Sequence, residues 1–150
     1  MFQAHPYEEV AYHVQQLENG LQTLGLGMIG TLENEMDEMD FLHFVKKTCE
    51  TGGVRYSNLL NKKIKKVAVL GGSGSFAIAA AKAMKADALV TSDLKYHDFY
   101  QAEGSVVLVD VGHFESERYV KNYIFDYLSK KIPTFAIILS DIKTNPVNYI

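Results

Sequence analysis

Four short runs, "KVAVL" from residue 66, "DALV" from 87, "SVVLV" from 105 and "TFAIIL" from 134, constrain this chain more than any other feature. Each is dominated by Val, Leu, Ile and Ala on consecutive positions, without the polar alternation that lets a strand face water on one side. Such strands must be covered on both faces. The segments between them carry helical spacing: a helix is expected over Phe76 to Lys85, a short one near Tyr96 to Ala102, and another over Glu115 to Lys130. A regular alternation of strand and helix implies an α/β fold, a largely parallel sheet covered by helices. "VRYS" reads as one further strand.

Upstream, Val10, Tyr12 and Val14 alternate like a strand, and "LGLGMIGTL" combines extended character with glycine-marked turns. From Met36 to Glu50, Phe41, Phe44, Val45 and Cys49 recur at helical spacing, acidic residues crowd the first turn, and Gly52 and Gly53 follow the end. At 47% hydrophobic and 22% charged, 150 residues suffice for one ordinary core. Net charge is −3, and the fifteen basic residues are dispersed apart from "NKKIKK" at 61 to 66, so no nucleic-acid surface is expected. A single cysteine, Cys49, fits a reducing compartment, with cytoplasm as the expectation. No apolar run is long enough to span a bilayer, and no membrane association is expected.

Three loops follow strand ends: "GGSGS", "SDLKYHD" and "DVGHFESE". Right-handed crossovers bring them to one edge of the sheet, where open α/β sheets place their ligands. Ser73, Ser75, Asp93, His97, His113 and Glu117 are thereby expected to converge. His113 and Glu117 are four apart, so on a helix they share a face and could grip one ion. The competing reading is local: Glu115 and Glu117 complement the helix dipole while His113 turns the loop. Gly72, Gly74 and Ala77 also satisfy a GxGxxA pattern, with Asp93 where a ribose-binding acid would stand, which leaves a Rossmann-like dinucleotide site open. Nucleophilic catalysis has no GxSxG elbow and no histidine partner evident for Cys49.

The ordered segments "HPYEEVAYHVQQLENG", "GLGMIGTLE", "VAVLGGSGSF", "ALVTSDLKYHDFYQA" and "VDVGHFESERYV" together resemble the C-terminal half of the Nif-three-like dinuclear metal-centre proteins, the GTP cyclohydrolase I type 2 homologues. The resemblance implies that His113 and Glu117 are metal ligands and that Asp93 and His97 line the same pocket as acid–base or supporting groups. Ser92 stands where that family usually has glycine. It implies two metals per site in complete members, with further ligands from a front half not present in this sequence, and hexameric assembly. Residues 1 to 20 would be the remnant of an inserted PII- or CutA-like domain, and 21 to 150 the C-terminal half-domain. Histidine with carboxylate suits zinc, iron or manganese. The implied chemistry is metal-dependent hydrolysis of a nucleotide-like substrate such as GTP, with this fragment expected to be inactive alone. A non-catalytic metal- or partner-binding module is the alternative.

Overall fold

The computed structural model describes residues 6, 10–13, 15 and 25–150. The alternating segment around Val10 and Tyr12 forms no strand where it is described; the rest of it, and most of the expected insert remnant, lie outside the described residues. From there the chain runs β1 (Met28–Met36), α1 (Glu38–Thr48), β2 (Arg55–Tyr56), β3 (Ile64–Ser73), a 3-10 turn (Ser75–Ala77), α2 (Ile78–Ala83), β4 (Ala88–Ser92), a 3-10 helix (Tyr96–Ala102), β5 (Val107–Asp110), α3 (His113–Glu117) and α4 (Val120–Lys131). The five strands form one sheet in the order β1-β3-β4-β5-β2. The central pairs, β3 with β4 and β4 with β5, are parallel; β1 and β2 close the two edges antiparallel.

The apolar runs do what their composition requires. Every residue of β4 and β5 is buried, and successive side chains feed opposite layers. Val67, Val90, Val107 and Val109 pack with Phe41, Leu42 and Val45 of α1. Ala68, Leu89 and Leu108 pack on the other side with Ile78 and Ala81 of α2 and with Ala102. Two cores, one on each face of a shared sheet, fix where the three strand ends emerge.

Two expectations need correction. The helix expected over 115–130 begins at His113 and breaks at Arg118 and Tyr119. There the Arg118 guanidinium bonds Glu50 and the Tyr119 hydroxyl donates to the Thr48 carbonyl at 2.8 Å, tying the break to the end of α1. "TFAIILS" forms no strand. A strand needs a ladder partner, and the edge beside β5 is already held by β2, with Arg55 opposite Asp110 and Tyr56 opposite Val109. Phe135 and Ile138 consequently remain exposed. Among the described residues, no helix is long and apolar enough to cross a membrane.

Candidate metal centre

The loops after β3, β4 and β5 meet at one edge, and the side chains they carry form a single hydrogen-bonded row. The Ser73 hydroxyl bonds Asp93 Oδ2. The same carboxylate oxygen lies 2.6 Å from His113 Nδ1. On the far side of the ring, His113 Nε2 is 3.1 Å from Glu117 Oε2. The three side chains keep about half of their surface open, at 45% for Asp93, 52% for His113 and 50% for Glu117. They are therefore within reach of a ligand from solution.

Local structure explains the placement. Asp93 adopts the left-handed conformation, φ 57°, which aspartate tolerates better than most residues. Gly112 at φ 92° turns the chain sharply into α3, so that His113 opens the helix and Glu117 follows one turn later on the same side. The two loops are pinned to each other by Asp110, which is 3% exposed. Its carboxylate accepts from the amides of Leu94 at 2.9 Å and Gly112 at 3.0 Å and pairs with Arg55, which also donates to the Leu94 carbonyl at 2.9 Å. Ser116 makes the third fastening: its hydroxyl accepts from the Gly72 amide and donates to the His113 carbonyl, each at 2.8 Å.

The electrostatics follow from this row. The Asp93 carboxylate, bonded to His113, holds the imidazole pKa above its ordinary value. The Ser73 hydroxyl first, and His113 second, hold the Asp93 carboxyl below the usual carboxylate range. Each member stabilises the charged form of its neighbour.

Sequence reasoning brought Ser73, Asp93, His113 and Glu117 to one edge, and the structure places them in contact. Ser75 opens the 3-10 turn and takes no part in the row. His97 lies on the 3-10 helix beyond Asp93 with its ring 5.1 Å from Tyr96 and 6.4 Å from Tyr100. It makes no hydrogen bond or ion pair with Asp93 or His113. Asp110, Arg55 and Ser116 were not singled out. A serine between two glutamates, and an arginine on a two-residue strand, carry no local signal of their long-range partners.

The glycine loop has a role other than cradling a dinucleotide. The amide of Gly72 is taken by Ser116, and a Cβ on Gly72 would lie 2.3 Å from Glu117 Oε1. A Cβ on Gly74 would lie 2.0 Å from the Thr91 hydroxyl. These glycines admit the chain's own side chains, so the space a pyrophosphate would need beside Gly72 is filled.

The donor set can be tested for an ion by geometry. Two ligands bound at about 2.1 Å stand about 3.0 Å apart at octahedral angles and about 3.4 Å apart at tetrahedral ones; the 3.1 Å between His113 Nε2 and Glu117 Oε2, here a direct ion-pair contact, falls within that span. Asp93 sits on the other ring nitrogen, where it can hold Nδ1–H, the arrangement that orients metal-binding histidines. Among the described residues, no group of three or more His, Cys, Asp or Glu is placed to hold a metal ion, so this chain offers at most the His113 and Glu117 pair. Beside the row opens a cavity of about 970 Å³, walled by Arg55, His113, Glu117, Lys121, Asn145 and Tyr149 among others.

Comparison with known proteins agrees with this architecture. The chain is 38% identical over its full length to a GTP cyclohydrolase 1 type 2 homolog of Bacillus subtilis and 36% identical to one of Halalkalibacterium halodurans, spanning 41% of each. Among solved structures, a Bacillus cereus protein related to NIF3 superposes with a TM-score of 0.74 at 38% identity, covering 99% of this chain and 42% of that one. A Staphylococcus aureus protein superposes at 0.75 and 30% identity, covering 99% and 49%. The chain thus spans about two-fifths of the length of the curated relatives it matches. The profile of the family Duf34/NIF3 (NGG1p interacting factor 3) matches residues 3–146, and the chain belongs to that family.

Proposed function

We propose that this chain supplies part of a dinuclear metal site, with His113 and Glu117 as ligands to a divalent zinc, iron or manganese ion. The observation that carries the reading is the row itself: a solvent-open imidazole whose Nδ1 is held by a carboxylate while its Nε2 stands beside a second carboxylate at a separation suited to one ion. Glu117 has a second oxygen over Gly72, available to a neighbouring ion. Ser73 steadies Asp93, Asp93 fixes the ring, and Ser116 fixes the backbone of the ligand-bearing turn. Asp93 is also the group placed to accept or return a proton at His113 Nδ1. With two donors from this chain, the remaining coordination positions fall to water or to other polypeptide.

The reaction class this favours is hydrolysis of a nucleotide-like substrate, in line with the name of the relatives, GTP cyclohydrolase 1 type 2 homolog. A bound divalent ion would supply Lewis acidity toward the bond attacked. The adjoining cavity has the volume for a molecule of that size.

The test is elemental analysis of the chain purified without chelator, beside Glu117→Ala and His113→Ala. Near-stoichiometric metal in the wild type, lost in both folded variants, is expected. Absence of metal after supplying each candidate ion would end the reading. Metal without hydrolysis of any nucleotide by a complete relative would favour a binding module instead.

A further inference from the structure

The row of functional side chains does not account for a second set of contacts around α3. Residues 140 to 149, a strap that is neither helix nor strand, form part of the cavity wall and are fastened at three points. The Lys121 ammonium donates to the Ser140 carbonyl at 2.9 Å. The Asn145 amide donates to Glu115 Oε1 at 2.9 Å, and Glu115, on α3 between the two proposed ligands, is 4% exposed. Tyr149 lies in a socket walled by glycine. A Cβ on Gly52 would come within 2.4 Å of its Cγ and 2.5 Å of its Cβ, and a Cβ on Gly112 would lie 2.7 Å from its hydroxyl. The socket exists because neither wall has a side chain, and it joins the loop after α1 to Gly112, the residue just before α3.

A five-residue helix cannot hold its own geometry, since a single turn costs more to nucleate than its few hydrogen bonds return. Ser116 anchors one side of it. We propose that the strap anchors the other: Asn145 and Tyr149 are positioning residues that hold the first turn of α3, and through it the His113–Glu117 pair, in ligand-ready geometry. The consequence for a metal follows from the proposed function and rests on it; the clamping of α3 does not. Because the atoms a Gly52 Cβ would strike are at the root of the tyrosine, rotation of the ring cannot relieve the collision, and the strap itself must lift.

That makes Gly52→Ala a probe that displaces the strap while changing no residue of the strap or of α3. Three variants of the 150-residue chain decide the matter: Gly52→Ala, Tyr149→Ala and their double. Each is measured by amide hydrogen exchange and by calorimetric titration with Mn²⁺. The reporters on α3 are the amides of Ser116 and Arg118, bonded to the carbonyls of Gly112 and Phe114. We expect exchange at these two amides about tenfold faster in both single variants, with Leu89 and Leu108 in the core unchanged. Mn²⁺ binding should weaken about tenfold, the scale seen when a group orienting a ligand is removed. The double should be no worse than either single, because both lift one strap. Tyr149→Phe, which keeps the ring, should restore both values. Unchanged exchange on α3, or effects that add in the double, would overturn the proposal. So would faster exchange with full Mn²⁺ affinity, since the strap would then steady the helix without steadying the pair. Faster exchange in a chain whose wild type binds no Mn²⁺, zinc or iron would leave the clamp standing and reject the metal reading.

Discussion

Asp87 and Asp93 flank the same five-residue strand, β4, one before Ala88 and one after Ser92. Asp87 spends its acceptors on the scaffold. Its Oδ2 accepts from the amides of Lys65 at 2.9 Å and Lys66 at 2.7 Å, while Oδ1 pairs with the Lys62 ammonium at 2.8 Å. Asp93, at the carboxyl end, instead meets only side chains that have chemistry of their own, Ser73 and His113. The side chain of Asp87 is 18% exposed and that of Asp93 45%. At the amino edge of this sheet a carboxylate holds strands together; at the carboxyl edge it stays open to solvent and bonds side chains of the neighbouring loops. Asp110 qualifies the contrast, for it stands at the carboxyl edge yet is buried and holds loops.

Removing Asp110 should therefore do the greatest damage. Asp110→Ala leaves the Leu94 and Gly112 amides without their acceptor and the 62%-exposed Arg55 without its partner; the two charge-assisted hydrogen bonds from the amides, at about 1.5–3 kcal/mol each, set the loss at about 3–5 kcal/mol. Denaturant unfolding should show a loss of that order together with disordering of both site loops. A loss below about 1 kcal/mol would mean that the loops are held by something else. Asp87→Ala comes next: two backbone amides and an ammonium lose a charged acceptor, and a loss of about 2–3 kcal/mol is expected in the same measurement. Asp93→Ala should reverse the pattern. Its exposed hydrogen bonds add under about 1 kcal/mol to stability, yet metal affinity should fall about 10- to 100-fold because His113 is no longer oriented. If Asp93→Ala unfolds the chain while metal affinity per folded molecule is unchanged, the two ends of β4 do not differ in the way argued.

What the sequence displayed of this division was the set of elements whose signals are local. The unbroken apolar runs at β3, β4 and β5 declare burial on both faces, and parallel strands with helical crossovers carry their following loops to one edge without any knowledge of side-chain contacts. The i, i+4 spacing of His113 and Glu117 is likewise local. Features that depend on partners distant in sequence stayed hidden: "VRYS" reads as a strand, yet its antiparallel place beside β5 is not legible, "TFAIILS" stays irregular with that edge taken, and nothing near Asp110 announces that it, unlike Asp93, would be buried. The glycines misled as well. Their spacing resembles a phosphate loop, but Gly72 is required by its left-handed backbone, φ 69°, and Gly74 by the Thr91 side chain packed against it.

The smallest expected effect sharpens the comparison through pH. Burial by itself would raise the Asp87 carboxyl pKa, but the Lys62 ammonium and the Lys66 and Lys65 amides outweigh it and hold the group below its ordinary 3.8. A carboxyl whose folded pKa is lowered binds its proton more readily in the unfolded chain. Its contribution is thus fully present above about pH 4, starts to fade as the unfolded form protonates, and is lost as pH falls through the folded value. Asp87→Asn keeps the size of the side chain but removes the charge, so it should be less stable than wild type at pH 7, with the gap closing steadily below pH 4. Urea midpoints of the two proteins between pH 2.5 and 7 measure that gap. Convergence on acidification would assign the stabilisation to the ionised carboxylate at the amino edge; a constant gap would assign it to hydrogen-bond geometry alone, and the two ends of β4 would then differ in exposure but not in how their charge is used.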